Sequence, residues 1–165
     1  MDNKYIWYLS YGSNLNLKRF YRYIKGGYCE YNNKTYIGCT DKTLPKKNKS
    51  KIINYEMYYA KQSRSWDNGG VCFLKLERDN NITTYARMYL IKYNQFLEIK
   101  KQEGGWYEKE ILIGHDEGYP IHTFTNREIL DSTIPSQIYI DVIFEGLQES
   151  FPNIDSNILS TYLKK

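Results

Sequence analysis

Tyr8-Leu9-Ser10-Tyr11-Gly12-Ser13-Asn14-Leu15 is the stretch whose reading decides how this 165-residue chain folds. A β-prone run, Tyr5 through Leu9, enters it. A helix-like apolar spacing leaves it through Leu15, Leu17, Phe20, Tyr21 and Ile24. A strand that breaks at glycine and turns directly into a helix leaves several backbone N–H groups unpaired at one point. Exposed amides and the helix dipole both favour negative charge there, so the turn reads as a cradle for a carboxylate or phosphate. Gly12 permits the tight turn, and Ser13 and Asn14 are residue types that cap helices. On these residues alone, an ordinary strand-to-helix connection accounts for the stretch equally well.

Working outward, 41% hydrophobic residues with mixed charges predict one folded domain over residues 1–165, with a sizeable core. A net charge of +4 suits a small anionic substrate and gives little support to nucleic-acid binding. Cys29, Cys39 and Cys72 form no Cys-x-x-Cys pair, and an odd count does not suit a disulfide framework. A reducing compartment fits, and with no basic-then-apolar leader and no apolar run of spanning length the expectation is cytoplasmic, without a membrane partner.

Gly26-Gly27 ends the first helix, and Asn32-Asn33 and Gly38 mark turns. The Lys46–Lys51 stretch reads as an exposed, solvated basic loop. Strand-like runs follow at 52–60, 71–76 and 83–91, with Asp79-Asn80-Asn81 predicting a hairpin between the last two. Asn94 is placed to cap a helix that runs to Glu103 and stops at Gly104-Gly105. Strands at 106–114 and 119–125 flank a polar turn, Asp116-Glu117-Gly118. Pro135-Ser136 then opens a helix with Tyr139, Val142, Ile143 and Leu147 on one side, and residues 157–163 form the last helix. The order of elements predicts an α+β domain.

Helix geometry singles out one acid. At roughly 100° per residue, Phe96, Leu97 and Ile99 define an apolar arc that contains Glu103, while Glu98 and Gln102 point away. Lys100 falls on the same arc, where it either snorkels outward or pairs with an acid. A carboxyl among apolar groups has a raised pKa, which suits a general base or acid near neutrality. A glutamate that only hydrogen-bonds the following loop is the alternative. His115 and His122 have no partners at metal-ligand spacing, so no metal is expected. Neither Ser13 nor any cysteine sits in a nucleophile-elbow pattern, and the turn lacks the further glycines or lysine of nucleotide-binding loops.

Tyr8-Leu9-Ser10-Tyr11-Gly12-Ser13-Asn14-Leu15 resembles the Y-x-x-YGSNL motif of the γ-glutamylcyclotransferase-like family. Four more segments resemble that family in the same order. They are Ser65-Trp66-Asp67-Asn68-Gly69-Gly70, Ala86-Arg87-Met88-Tyr89-Leu90, Lys101-Gln102-Glu103-Gly104 with Tyr107, and Pro135-Ser136-Gln137-Ile138-Tyr139. Asp67-Asn68 departs from the His or small residues that some members carry, and the loop between Gly104 and Tyr107 is short.

The resemblance implies a small mixed β-barrel flanked by helices. It also implies an enzyme, free of metal and cofactor, that releases 5-oxoproline from a small L-γ-glutamyl compound by attack of the substrate's own α-amine. Tyr11, Gly12, Ser13, Asn14 and Leu15 would hold the substrate's α-carboxylate, and Glu103 would move the proton. Tyr139 would bring a hydroxyl near the cradle, and Trp66, Gly70 and Tyr107 would line the cavity. The implied partner is a small γ-glutamyl substrate, with no nucleic acid and no membrane, bound by a monomer or homodimer. The alternative is a non-catalytic module that binds a small carboxylate on the same scaffold.

Overall fold

Tyr5 to Leu9 contains no charged residue, and the strand it opens, β1 (Tyr5–Ser10), is buried from Ile6 onward. A strand without a solvated face belongs in the middle of a sheet. In the computed structural model, which describes residues 4–165, β1 lies antiparallel to β7 (Thr84–Lys92), with Tyr5 opposite Lys92 and Ser10 opposite Arg87. On its other side it runs parallel to β9 (Tyr119–Thr125), with Trp7 opposite Ile121. The outer strands β4 (Asn48–Ile53) and β8 (Lys109–Asp116) complete a five-stranded sheet ordered β4-β7-β1-β9-β8. Two hairpins stand apart from it: β2 (Gly27–Cys29) with β3 (Lys34–Tyr36), and β5 (Tyr55–Ser63) with β6 (Gly69–Arg78). Helices α1 (Leu17–Lys25), α2 (Tyr93–Glu103), α3 (Gln137–Ser150) and α4 (Ser156–Leu163) make the architecture α+β.

The strand pairings depart from the expected barrel. Backbone ladders form three separate sheets and do not close into a ring among the described residues. Where β6 meets β9, one side chain replaces the ladder: the Thr125 hydroxyl accepts from the Leu74 amide (2.9 Å) and donates to the Leu74 carbonyl (3.0 Å). The expected hairpin at Asp79–Asn81 is also corrected. The turn is there, but β6 pairs with β5, and β7 pairs with β1 and β4, so it connects strands of different sheets.

The run expected at 52–60 breaks at Asn54 into β4 and β5. Four of the six residues of the predicted basic loop, Asn48 to Lys51, are therefore in strand β4, at the sheet's edge, where lysines discourage further strand pairing. Its charges are met by the β8–β9 turn: Lys47 pairs with Glu117, and Lys49 with Asp116, each at 2.6 Å.

Aromatic packing holds the helices on the sheet. Phe20 of α1 stacks on Tyr89 of β7 with ring centroids 4.0 Å apart, and Tyr8 lies against Phe20, Phe96 and Phe124. Helix α1 is capped by Asn16, whose side chain accepts from the Arg19 amide, rather than by Ser13 or Asn14. Helix α2 begins at Tyr93, with Gln95 bonding back to the Lys92 amide in place of an Asn94 cap. Helix α3 is capped by Ser136 and crosses the 13–16 turn at Gly146. A Cβ there would lie 2.5 Å from the Asn16 nitrogen, so only glycine permits this approach.

Candidate active site

The turn after β1 is a single 3-10 turn, Ser13–Leu15, before α1 begins. Gly12 has φ −125°, which any residue can adopt, so the reason for glycine is space. A Cβ would sit 3.1 Å from the Tyr139 hydroxyl and 3.2 Å from the Cys72 Cβ. The Leu15 amide donates to the Gly12 carbonyl (3.0 Å) and the Asn16 amide to the Ser13 carbonyl (3.1 Å). Leu15 thus leaves the expected cradle: its amide is used within the turn and its side chain is wholly buried. The amides of Gly12, Ser13 and Asn14 make no hydrogen bond within the described residues. Strand β7 grips the turn from behind, with the Tyr89 hydroxyl donating to the Asn14 carbonyl (2.7 Å) and Arg87 to the Leu15 carbonyl (2.9 Å).

Glu103, the last residue of α2, comes to this turn from 89 positions away. Its Oε1 accepts from Asn14 Nδ2 at 3.0 Å, and the same Nδ2 donates to the Tyr8 hydroxyl, also at 3.0 Å. The rotation of α2 is set by the fully buried Phe96 and Ile99, joined by Gln95 rather than Leu97, which is 43% exposed. Gln95 can be buried because its side-chain amide donates to the carbonyls of Asp41 and Thr43. Glu98 and Gln102 face the 38–40 segment: Glu98 accepts from Thr40, and Gln102 accepts from the Gly38 amide. Gly104, at φ 96°, ends the helix in a conformation that favours glycine.

Burial raises the Glu103 carboxyl above the ordinary carboxylate range, against the opposing pull of Arg19, Tyr23, Lys34 and Asn14. Burial likewise pushes the hydroxyls of Tyr11, Tyr107 and Tyr139 well above the usual phenol value, so they stay neutral. Each is also tied down. Tyr11 donates to the Phe124 carbonyl (2.7 Å), Tyr107 donates to the Cys72 carbonyl (2.8 Å), and the Tyr139 oxygen accepts from the Cys72 amide (2.9 Å). Burial lifts the Cys72 thiol to about 12, which leaves it a poor nucleophile at neutral pH.

Two small chambers meet here. The inner one, about 30 Å³, is lined by the cradle, Glu103, Tyr107 and Tyr139; the outer one, about 70 Å³, shares Ser13, Glu103, Tyr107 and Tyr139 and reaches Trp66 and Arg19. The inner chamber has room for only a few waters, so a larger ligand must extend outward or displace lining side chains. Trp66 stands edge-on to Tyr139, ring centroids 5.1 Å apart. Gly70 is not in either chamber. Its amide donates to the Ile134 carbonyl, and a Cβ would lie 2.4 Å from the Thr133 hydroxyl, so it makes room for the 133–136 segment. Asp67 and Asn68 are exposed and outside both chambers; their φ values of 54° and 59° turn the β5–β6 hairpin.

Sequence reading did not single out Arg19 as part of this site. It is 2% exposed. The signal available was the i, i+4 pair Arg19 and Tyr23 flanking the apolar Phe20.

Three comparisons with solved structures find this fold. A gamma-glutamyl cyclotransferase superposes with TM-score 0.67 at 15% identity, over 96% of this chain and 87% of that one. The human protein loc79017 gives 0.66 at 16% identity over 95% and 86%, and YkqA of Bacillus subtilis 0.63 at 15% over 98% and 55%. The fold is that of a gamma-glutamyl cyclotransferase. In sequence, the chain is 32% identical over 128 residues to histone deacetylase 5 of Arabidopsis thaliana, which matches 77% of this chain. It spans 18% of that protein's length. No family model matches the chain. No helix among the described residues is long and apolar enough to cross a membrane.

Proposed function

We propose that this chain is a γ-glutamylcyclotransferase-type enzyme that releases 5-oxoproline from a small L-γ-glutamyl amide, with Glu103 as general acid and base. The observation that carries this reading is the 3.0 Å contact between Glu103 and Asn14, beside the three unpaired amides of Gly12, Ser13 and Asn14. The amides hold the substrate's α-carboxylate, which folds the glutamyl chain back and brings its α-amine close to its own γ-carbonyl. The Asn14 Oδ1 is buried without a donor, and an amine N–H is a donor of the kind it lacks.

At neutral pH an α-amine, with a reference pKa of about 7.7–8.0, is mostly protonated and not nucleophilic. Glu103 takes one proton from it. The amine nitrogen then attacks the γ-carbonyl carbon, closing the five-membered ring. Glu103 gives that proton to the leaving nitrogen as its bond to the carbon breaks, then takes the second proton that the ring nitrogen must shed, which departs with the amine as its ammonium form. No oxidant or metal is consumed in this balance. Burial at Tyr11, Tyr107 and Tyr139 keeps water away from the reacting centre.

The test is 5-oxoproline release from γ-glutamyl amides by wild type and Glu103→Gln. The expected loss is about 10²- to 10⁴-fold with the fold retained by circular dichroism; equal rates would remove Glu103 as the base. The narrow inner chamber favours the second reading, a module that binds a small carboxylate without turnover. That reading predicts calorimetric binding of γ-glutamyl amides by wild type and no 5-oxoproline.

A further inference from the structure

Arg19 carries a charge that nothing in its surroundings fully answers. It projects from α1 into the outer chamber, and its guanidinium lies 4.5 Å from the ring centroids of Tyr23 and Tyr36 and 5.5 Å from that of Trp66. Its Nη2 donates to the Tyr23 hydroxyl at 3.1 Å. Its Nε and Nη1 are buried with no acceptor. No carboxylate of the described residues forms an ion pair with it.

Aromatic faces stabilise a cation from above and below. They do not satisfy N–H groups, which point outward in the guanidinium plane. A buried cation with unpaired donors is costly unless an anion completes it. Lys34, exposed on β3 over the Tyr36 ring, adds a second positive charge at the same chamber, and Ser63 and Ser65 line its wall. The only acid there is Glu103, which the proposed reaction already uses.

We propose that this outer chamber binds a carboxylate carried by the leaving half of the substrate. Arg19 then selects γ-glutamyl amides of amino acids over those of simple amines. This rests on the cyclotransferase reading: the α-carboxylate sits on the Gly12–Asn14 amides, the γ-carbonyl lies beside Glu103, and the leaving nitrogen points toward Arg19. Nη2 has a second N–H beside Nε–H or Nη1–H, and such a planar pair on one guanidinium edge matches the two oxygens of a carboxylate, a geometry that lysine does not reproduce.

The test uses a matched pair, γ-L-glutamyl-L-alanine and γ-L-glutamyl-ethylamide, which differ by that one carboxylate. Wild type should show a kcat/KM for the alanine compound at least about tenfold higher, the scale of one charge-assisted hydrogen bond. Arg19→Gln should remove most of that preference, read as the ratio of the two kcat/KM values, so that any change both compounds share through Glu103 cancels. Lys34→Met, at an exposed position that does not endanger folding, should reduce the preference by a smaller factor. Equal kcat/KM for the pair in wild type overturns the subsite while leaving the enzyme reading intact.

The absence of 5-oxoproline from both compounds overturns the enzyme reading instead. Calorimetry on Glu103→Gln separates the two failures, because it measures binding without turnover. Tighter binding of the alanine compound supports the subsite, and equal binding of the pair overturns it.

Discussion

Two hollows of this molecule contrast in size and in chemistry. The larger, about 730 Å³, is an open groove between the end of β6 and the 126–129 loop. It is lined by charges of both signs, including Lys75, Glu77, Arg78 and Arg127, and Lys75 pairs with Glu56 at 3.3 Å across its wall. None of the buried polar atoms that lack partners belongs to the groove's lining. The chambers at the Gly12 turn are many times smaller, yet Asn14 Oδ1 and the Nε and Nη1 of Arg19 lie there buried and unpaired. Solvated charges on strand ends cost the fold little and ask for no ligand. Buried donors and acceptors without partners are costly, and their cost is relieved when a complementary ligand arrives. Depth and unmet hydrogen bonding, rather than volume, therefore set the candidate site apart from the groove.

Three changes would sharpen or break that contrast. The largest effect is expected from Gly146→Ala, because the added carbon would lie 2.5 Å from backbone atoms of Leu15 and Asn16. Helix α3 would have to retreat from the turn, with a loss of about 3 kcal/mol in urea unfolding and a matching loss of 5-oxoproline release. A small effect would show that the turn does not depend on helix α3 for its shape.

The second concerns pH. The folded-state pKa of Glu103 is raised by burial, so its contribution to stability is fully present below the unfolded value of about 4.3 and is lost as pH rises through the folded value. Glu103→Gln has no such loss. Its Tm should gain on wild type as pH rises above about 4.3 and through the raised folded value, with the gap closing toward pH 4. A gap of the opposite sign at neutral pH would mean that Arg19 and Asn14 stabilise the carboxylate more than burial disfavours it. The smallest effect belongs to the groove: Arg127→Ala should change stability by less than about 0.5 kcal/mol and leave 5-oxoproline release unchanged. A tenfold drop in rate would make the groove part of the site and undo the comparison.

Local chemistry made several elements legible. The unbroken apolar run of β1, the glycine stops at Gly26 and Gly104, the Ser136 cap of α3 and the Asp116–Gly118 turn are all written in neighbouring residues, and the structure has each of them. The errors have different physical causes. The hairpin assigned to β6 and β7 was inferred from a turn, but turns fix only where a chain reverses, and the partner of a strand is chosen by burial far away. The caps at Asn16 and Lys92 moved by two or three residues because several polar residues near each end can make the same bond. Leu15 and Gly70 were placed in the site by their position in motifs, and packing gives them other work.

By itself, then, the amino-acid order determined the four helices and the central strands, where α1, α2 and α3 stop or start, and that Glu103 shares an arc with Phe96 and Ile99, since these follow from residues within a turn or two of one another. Only the tertiary structure decided that Asn14 meets Glu103 at 3.0 Å, that Arg19 is sunk among three aromatic rings, and that the strands form three sheets. Such contacts join residues far apart in the chain. They exist only when the whole core packs, and no local propensity encodes them.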